Sequence, residues 1–339
     1  MCSFRWCGCS GTQALAARLR CGRVTSCEWP GWRQGRVLAL LSLLLALLLV
    51  FHSVLPNTLG HLGSLLETFL PWLGLAVPGL LVAALLRRSF VGLIALLLPV
   101  AAWMSLFGDL LLPGHDPADS AGRITALQHN VSDVNPDPAG TARTLVETRA
   151  DLIALEELTP SALPAFAAVM ASDYPHHATK GTVGLWSKYP LSDVRLVDIR
   201  PEGIGEGWNR GLRATARTAK GDVAVYVAHL PSVRLGPRNG FSSALRDESA
   251  VLLGDAIAAE RLDKVILLGD LNSTVDDRGL APVSSQLNAA GSGFAFSWPA
   301  SLPMARIDQI MARSATVTQV WSLPETGSDH LPIAAHIGL

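Results

Sequence analysis

The chain has 339 residues, of which 49% are hydrophobic and only 16% are charged, and its formal net charge at pH 7 is −1. This charged fraction is low for a soluble globular protein. From residue 123 onward there are 19 Lys and Arg against 23 Asp and Glu. This acidic balance disfavours binding of long duplex nucleic acid, which needs many phosphate contacts. A local basic patch of Arg234, Arg238 and Arg246 is still compatible with the sequence.

Residues 1–36 form a basic leader that contains six arginines, one acidic residue and all five cysteines of the chain. We interpret this leader as a cytoplasmic segment, with disorder as one hypothesis for its structure. Because no cysteine follows residue 27, the rest of the chain has no disulfide and no thiol that could act as a nucleophile or a metal ligand.

Three apolar runs follow within residues 37–112, and each has roughly 19 residues or more, enough to cross the hydrocarbon core of a bilayer. They are Val37–Leu55, Thr68–Leu86 and Phe90–Leu112. The runs predict a membrane domain with three transmembrane helices. The alternative is a signal peptide followed by buried helices, but a cleaved signal has a shorter apolar core and does not account for three runs in succession.

Basic residues predict how these helices are oriented. The leader is rich in arginine, Arg87 and Arg88 separate the second and third runs, and residues 56–67 contain no Lys or Arg. Basic segments are retained on the cytoplasmic side, so the N-terminus and the Arg87–Arg88 turn are expected in the cytoplasm. Three crossings then place everything after Leu112 outside, in a multi-pass protein of the plasma membrane.

Residues 113–122 are rich in Pro, Gly, Ala and Asp and predict a linker. From residue 123 to 339, short apolar runs alternate with amphipathic stretches, which predicts one α/β domain. The predicted strands are Arg123–Gln128, Leu152–Leu155, Val183–Ser187, Val223–Ala228, Val265–Leu268, Ile307–Met311 and Ile333–Ile337. The predicted helices are Pro138–Arg149, Pro160–Ala171 and Ser242–Arg261.

Polar side chains interrupt or follow several of these strands. Side chains alternate along a strand, so Asp270 and Asn272 point to the same side. The others are Asn130, Glu157, His229, Asp308, Asp329 and His330. Most of these residues also have a purely structural explanation, as a turn cap, an acid that precedes a helix or a loop residue. Asp308 does not, because a lone carboxylate in an apolar strand is costly unless it is paired.

The set suits metal-assisted hydrolysis of a phosphate ester. Mg²⁺ prefers oxygen ligands, which Asn130 and Glu157 supply. Asp270 is suited to activate water, and Asp308 is suited to keep His330 cationic beside phosphate oxygens. A Ser-His-Asp triad is excluded, because Ser328, Asp329 and His330 are consecutive and no G-x-S-x-G sequence occurs.

The ordered motifs QHN, ALEE, AHL, GDLN, RIDQI and SDHLP resemble the endonuclease/exonuclease/phosphatase superfamily over residues 123–339. The resemblance implies a four-layer α/β sandwich, with two packed β-sheets flanked by helices. It also implies that the following residues serve the metal site: Asn130, Glu157 and Asp329. It assigns Asp270 to water activation, Asn272 and His229 to contacts with water or phosphate, and His330, oriented by Asp308, to completing the site. Glu156 departs from the Gln that often stands there in the family.

We therefore expect a membrane-anchored hydrolase of phosphate esters, similar to a bacterial subgroup of this family, with Mg²⁺ as cofactor and Mn²⁺ as the alternative. The expected partners are a phosphate-ester substrate (a lipid head group, a nucleotide or nucleic acid) and the lipid bilayer, with no obligate protein partner. A non-catalytic membrane receptor or scaffold on the same fold and an extracellular nuclease are the alternative hypotheses.

Overall fold

The computed structural model describes residues 31–58, 60–112, 122–236 and 240–339. The predicted leader up to residue 30 and the predicted linker, apart from Gly122, lie outside the described residues. The N-terminal part, up to residue 112, is helical. Its helices are α1 (Gly31–Val50), α2 (Leu62–Thr68), α3 (Ala76–Leu86), α4 (Phe90–Ala95) and α5 (Leu97–Leu111), with 3₁₀ turns at His52–Val54 and Leu70–Leu75.

The prediction of three spanning helices is wrong for the described chain. One helix, Phe90–Leu111, is long and apolar enough to cross a membrane. The second predicted run begins at a bend, because Leu62–Thr68 and Leu70–Leu86 meet at an angle of 69°. Pro71 lies in the first turn after this bend, where a residue that cannot donate a helical hydrogen bond is tolerated. The first run gives a shorter apolar helix, Gly35–Val50, since the chain turns at Phe51.

These helices nevertheless pack against one another. Leu38, Ala84 and Leu96 form one small buried cluster. A second cluster contains Leu49, Leu70 and Phe107. Much of the remaining apolar surface is exposed, including many leucines of α1 and α3. An apolar surface of this extent marks a site of interaction with a partner or a membrane.

The C-terminal part contains two six-stranded sheets. Sheet A has the strand order β13-β14-β1-β2-β4-β3, and sheet B has the order β11-β12-β10-β7-β6-β5. The strands are β1 (Arg123–Asn130), β2 (Leu152–Glu156), β3 (His176–Lys180), β4 (Val183–Ser187), β5 (Leu191–Leu196), β6 (Gly211–Thr218), β7 (Gly221–His229), β8 (Arg234–Gly236), β9 (Gly240–Ser242), β10 (Val265–Asp270), β11 (Asn288–Ala289), β12 (Asp308–Arg313), β13 (Thr316–Ser322) and β14 (Ile333–Gly338). Strands β8 and β9 form a separate hairpin.

The helices of this part are α6 (Pro138–Glu147), α7 (Leu163–Met170), α8 (Ala244–Ala258) and α9 (Ala281–Ser284). Helix α7 begins three residues after the predicted Pro160. Thr159 still caps the preceding turn, because its hydroxyl accepts a hydrogen bond from the backbone N–H of Ala162 at 3.2 Å.

The hydrophobic core lies in three layers between these elements. The central layer joins the inner faces of the sheets, for example Ala126 and Leu185 of sheet A with Val225 and Leu268 of sheet B. A second layer packs sheet B against α8 and α9. The third packs sheet A against α6 and α7. The predicted four-layer sandwich is therefore confirmed.

Two pairs of parallel strands determine where the polar residues at the strand ends lie. Strands β1 and β2 are parallel, with Asn130 opposite Glu156. Strands β7 and β10 are also parallel, with His229 opposite Asp270. Helix α6 connects the first pair and α8 lies between the strands of the second. Parallel strands end at the same sheet edge, so each sheet gathers its polar residues at one edge.

The helical region is joined to the sandwich by a buried ion pair. In this pair, Nη2 and Nε of Arg278 lie 2.7 Å and 2.9 Å from the two carboxylate oxygens of Glu67. The Glu67 side chain is only 1% exposed. Arg278 also donates a hydrogen bond to the carbonyl of His52 at 3.0 Å. A bidentate pair of this kind fixes the position of the helical region relative to the sandwich.

Two further contacts extend this joint. The indole N–H of Trp72 donates to the carbonyl of Met304 at 2.6 Å. The backbone N–H of Gly293 donates to the carbonyl of Leu110 at 3.1 Å. The two regions therefore meet along a surface and not only at the end of the connecting segment.

Candidate active site

The predicted polar residues converge where the carboxyl ends of β1, β2, β7 and β10 face one another across the two sheets. In the register of sheet B, Asp270 stands opposite His229 on one side and opposite Asp308 on the other. Glu157 and Asn272 follow their strands directly, and both have left-handed backbone angles, with φ of +56° and +47°. Such angles are uncommon for side chains of this size, and each ends a strand abruptly at the site.

Asp308 and His330 form a buried pair. Nδ1 of His330 lies 2.8 Å from Oδ2 of Asp308, and both side chains are almost fully buried. Burial alone would lower the pKa of His330, but the carboxylates of Asp308 and Asp270 outweigh it and raise this pKa to about 10. Burial would raise the pKa of Asp308, and the positive charge on His330 instead lowers it. The imidazole is therefore cationic at neutral pH.

Asp270 lies between the two histidines. Its Oδ2 is 3.6 Å from Nε2 of His229 and 3.7 Å from Nε2 of His330. The side-chain amide of Asn130 donates to the same oxygen at 3.0 Å, and the backbone N–H of Asn272 donates to Oδ1 at 3.0 Å. Burial raises the pKa of Asp270 to about 7, although the charge on His330 opposes this shift. Its basicity is thus matched to neutral pH.

His229 differs from His330 in its charge. Burial and, next, the positive charge of Arg210 lower the pKa of His229 well below its ordinary value. The guanidinium of Arg210 lies beside the ring, with Nη1 3.3 Å from Nδ1. His229 is therefore neutral at pH 7, and it can take part in hydrogen bonds but adds no positive charge to the site.

The three predicted metal ligands open onto one cavity. Asn130, Glu157 and Asp329 all line it, and Oε1 of Glu157 lies 3.9 Å from Nε2 of His229. Asp329 is exposed, whereas Asn130 is buried and its Oδ1 accepts from the N–H of Ser132 at 3.0 Å. Two carboxylates and one amide oxygen at the wall of an open cavity suit Mg²⁺, which uses few protein ligands and keeps several waters.

A second group also has a geometry compatible with a metal ion. Asp270, Asp308 and His330 each offer one ligand atom within 4.8 Å of the others. However, Nδ1 of His330 is already bonded to Asp308, and a metal ion there would have to replace this charge-assisted hydrogen bond. The pair is better suited to hold the imidazole cationic than to bind a cation.

The side-chain NH₂ group of Asn272 is not directed at the centre of the site. Its Nδ2 donates to the carbonyl of Leu230 at 3.0 Å, and the residue lines the cavity. This contact ties the turn after β10 to the end of β7. The predicted contact of Asn272 with water or phosphate would therefore use its Oδ1.

Three residues whose roles the sequence does not predict also support the site. Gln128 is buried and donates to Glu156 at 2.7 Å and to Asp308 at 2.9 Å. Burial raises the pKa of Glu156 well above its ordinary value, so the charged form of this extra carboxyl group is disfavoured. The hydroxyl of Ser328 donates to the carbonyl of Asn130 at 2.7 Å. The two-residue period of β1, which places Gln128 on the same side as Asn130, could have identified the first of them.

The cavity is about 720 Å³, and its walls come from both parts of the chain. Its lining includes acids of the site and His330, whereas His229 is not part of it. It also includes Leu65 and Phe69 from the helical region, with Leu235 and Phe241 from the β8–β9 hairpin.

The basic patch suggested by Arg234, Arg238 and Arg246 is not found. Arg246 is buried, with Nη2 2.8 Å from the equally buried Oδ2 of Asp277. Arg238 lies outside the described residues. The arginine that does lie at the site is Arg210, which comes from the segment before β6.

Residues 116–330 match the model of the Endonuclease/Exonuclease/phosphatase family. Among solved structures, D. rerio TDP2 complexed with a single-strand DNA product has a TM-score of 0.53 and 16% identity, covering 65% of this chain and 100% of that chain. A mutant beta toxin from Staphylococcus aureus with bound magnesium ions has a TM-score of 0.50 and 14% identity, covering 62% and 98%. Truncated Caenorhabditis elegans TDP2 has a TM-score of 0.51 and 16% identity, covering 65% and 98%. No curated protein sequence matches this chain significantly.

Proposed function

This chain belongs to the endonuclease/exonuclease/phosphatase family, and on that premise we propose that it is a membrane-associated, Mg²⁺-dependent phosphoesterase. It hydrolyses a phosphodiester or phosphomonoester by attack of water at phosphorus. The observation that carries this proposal is that Asp270 and His330 line one cavity, with His229 and Asp308 buried directly behind them. Asp270 lies within 3.7 Å of both histidines.

Each residue has a separate task in this reaction. Asp270 accepts the proton of the attacking water, since its pKa of about 7 makes it a base at neutral pH. His330, held cationic by Asp308, stabilises the negative charge that grows on the phosphate oxygens. His229 donates a hydrogen bond to the same group. Burial and, next, the positive charge of Arg210 lower the pKa of His229 and keep it neutral.

Asn130, Glu157 and Asp329 would hold the metal ion. When bound, Mg²⁺ neutralises phosphate oxygens and helps to orient the substrate. Support for Mg²⁺ comes from the oxygen-donor set and from the beta toxin of similar fold, which contains bound magnesium ions. Mn²⁺ prefers similar donors.

Several substrate classes fit this chemistry. TDP2 of similar fold is complexed with a single-strand DNA product, so a nuclease is the second candidate. The acidic balance of residues 123–339 and the buried position of Arg246 favour a smaller phosphate ester over duplex DNA.

We further propose that the helical region lies in the plasma membrane, with the sandwich on the extracytoplasmic side and the N-terminus in the cytoplasm. The exposed leucines of α1 and α3 and the length of Phe90–Leu111 support membrane insertion. The residues that contact the sandwich, His52, Glu67 and Leu110, lie at the end of the helical region opposite the Arg87–Arg88 turn. The positive-inside rule retains that turn in the cytoplasm.

The catalytic proposal is tested with the full chain in detergent micelles. Bis-p-nitrophenyl phosphate, p-nitrophenyl phosphate, plasmid DNA and a phospholipid panel are incubated with Mg²⁺, with Mn²⁺ or with EDTA. We expect turnover that needs the metal and that falls by roughly 10³-fold in Asp270→Asn and in His330→Gln. His177→Gln is the matched control, because His177 is an exposed histidine of the edge strand β3.

A folded, metal-binding chain that hydrolyses none of these compounds would contradict the phosphoesterase proposal and support a receptor on the same fold. Orientation is tested separately by treating intact cells with protease. A C-terminal epitope tag should be lost without lysis, and its protection would contradict the extracytoplasmic location.

A further inference from the structure

We propose that the helical region forms part of the substrate site, and that the substrate is an amphiphilic phosphate ester whose hydrocarbon chain lies in an aromatic groove beside the catalytic cavity. This inference rests on the proposed phosphoesterase function and names its substrate class. It follows from two adjoining cavities that both parts of the chain build together.

The first observation is the composition of the catalytic cavity. Leu65, Thr68 and Phe69 of the helical region line it together with Asp270 and His330. A substrate that reaches the two catalytic residues therefore has apolar side chains of the helical region beside it. A fully polar substrate would leave this wall without favourable contacts.

The second observation is a neighbouring groove of about 360 Å³. No charged residue is among those that line it. Its walls include Trp72 and Trp103 from the helical region and Phe294 and Phe296 from the sandwich. An apolar groove of this kind accepts hydrocarbon and offers no partner to a sugar or a base.

Neighbouring residues of the same two segments line both cavities. Thr68 and Phe69 line the catalytic cavity, and Pro71 and Trp72, which follow them closely, line the groove. On the side of the sandwich, Phe296 lines the groove, and Trp298, two residues later, lines the catalytic cavity. A phosphate at Asp270 and a chain attached to it can thus occupy both at once.

Two hydrogen bonds fix the indole rings that line the groove. The indole N–H of Trp72 donates to the carbonyl of Met304 at 2.6 Å, and that of Trp103 donates to the carbonyl of Pro71 at 2.8 Å. Both indoles have therefore satisfied their only donor and present apolar ring faces. Trp72 is also stacked on Phe296, with ring centroids 5.4 Å apart.

Gly74 provides the space for one of these rings. A Cβ atom at this position would lie 2.5 Å from Nε1 of Trp103, so any larger residue would displace the indole. At the outer end of the groove, Leu75 and Pro78 are exposed. The groove therefore opens at the apolar surface of the helical region, where a lipid chain enters directly from a bilayer.

Two esters that differ only in chain length test this inference. The full chain is reconstituted in lipid nanodiscs with Mg²⁺, and hydrolysis of methyl 4-nitrophenyl phosphate and dodecyl 4-nitrophenyl phosphate is followed by release of 4-nitrophenol. We expect kcat/KM for the dodecyl ester to exceed that for the methyl ester by at least tenfold.

Two leucine variants separate groove binding from simple partition of the ester into the bilayer. Leu75 lines the groove and is 64% exposed, whereas Leu86 is 81% exposed and lines neither cavity. Leu75→Gln should lower the dodecyl-to-methyl ratio by at least fivefold, and Leu86→Gln should leave it unchanged. Both positions are exposed, so neither substitution disrupts the core.

Equal kcat/KM for the two esters, or equal effects of the two leucine substitutions, would overturn the inference and leave the phosphoesterase proposal intact. If the wild-type chain hydrolysed neither of these diesters and also failed to hydrolyse the monoester p-nitrophenyl phosphate, the phosphoesterase proposal itself would be contradicted. Met104→Gln, at another exposed residue of the groove wall, provides an independent repeat of the Leu75→Gln result.

Discussion

The sandwich and the helical region depart from the usual burial pattern in opposite ways. In the sandwich the unusual residues are buried and polar, such as Asp308 and His330. In the helical region they are exposed and apolar, such as Leu44, which is 52% exposed, and Leu86, which is 81% exposed. Ordinary folding requires neither feature, since buried charges are costly and large exposed apolar surfaces are rare.

This difference in burial indicates a different role for each region. The buried charges of the sandwich are paired and lie around a cavity, which is typical of a site that does chemistry. The exposed leucines of the helical region form an extensive apolar surface, which agrees with the proposal that this region meets lipid. The following substitutions test each side of this comparison with a matched residue from the same region.

The largest effect is expected for Asp308→Asn. Without the carboxylate, burial dominates and the pKa of His330 falls from about 10, so the imidazole is largely neutral at pH 8. We expect kcat/KM at pH 8 to fall by roughly 10²- to 10³-fold, with a smaller loss at pH 5.5. The pH dependence of hydrolysis of bis-p-nitrophenyl phosphate measures this.

Glu260→Gln is the control for Asp308→Asn. Glu260 is also a buried acid of an ion pair, with Oε2 2.9 Å from Nε of Arg213, but it lies outside the site. Its substitution should lower stability and leave the shape of the pH profile unchanged. Identical profiles for the two variants would show that the charge of Asp308 has no particular connection to catalysis.

All the inner strands except β6, and most residues of the candidate site, could be predicted from the sequence. All seven predicted strands occur, because each contains an apolar run that enters a fully buried layer. Seven more strands were not predicted. Among them, β5 is exposed along most of its length and β3 is a partly exposed edge strand with two histidines and a lysine, so neither has the apolar signal that periodicity detects.

The register of the site could not be predicted, since it depends on pairing between distant segments. The motif GDLN identifies Asp270 locally, but nothing local places Asp270 opposite both His229 and Asp308. The same limit explains Arg246, which stands in a polar sequence and yet is buried beside Asp277. Composition likewise does not reveal that the chain bends by 69° where the second apolar run begins.

The next largest effect is expected at the joint between the two regions. Arg278→Met leaves the buried carboxylate of Glu67 without its cation, and removal of one partner of a buried pair typically costs about 3 to 5 kcal/mol. We expect a clear loss of thermal stability in detergent, and partial recovery in the double variant with Glu67→Gln.

Arg195→Met is the matched control for that substitution. Arg195 and Asp193 are both more than half exposed, and exposed pairs contribute about 0 to 1 kcal/mol. The second contact of Arg195, with Glu260, is longer at 3.6 Å, and Glu260 keeps its shorter bond to Arg213 in this variant. Equal destabilisation by the two arginine variants would show that the Glu67–Arg278 pair does not fasten the regions together.

A smaller effect is expected from pH on two buried pairs, with opposite signs. The pKa of His330 is raised to about 10, so its contribution to the free energy of unfolding is complete below about 6.5 and is lost as the pH rises through 10. Burial would raise the pKa of Glu260, but Arg213 lowers it to about 2. The contribution of Glu260 is therefore complete above about 4.5 and is lost as the pH falls through 2.

Urea unfolding of wild type, His330→Gln and Glu260→Gln at pH 3, 7 and 10.5 measures both effects. The difference between wild type and His330→Gln should shrink by on the order of 2 kcal/mol between pH 7 and 10.5. The difference between wild type and Glu260→Gln should shrink towards pH 3. A difference for His330→Gln that does not depend on pH would contradict a cationic His330.

The smallest effect on stability is expected on the exposed face of α1. Leu44 is 52% exposed, whereas Leu49, on the same helix, is fully buried against Leu70 and Phe107. In detergent, Leu44→Gln should change the free energy of unfolding by less than about 0.5 kcal/mol, and Leu49→Gln should cost several times more. In liposome flotation the order should reverse for binding: Leu44→Gln places an amide on the lipid-facing surface and weakens association, while folded Leu49→Gln keeps that surface apolar. If Leu44→Gln floats as well as wild type, the exposed face of α1 does not contact lipid.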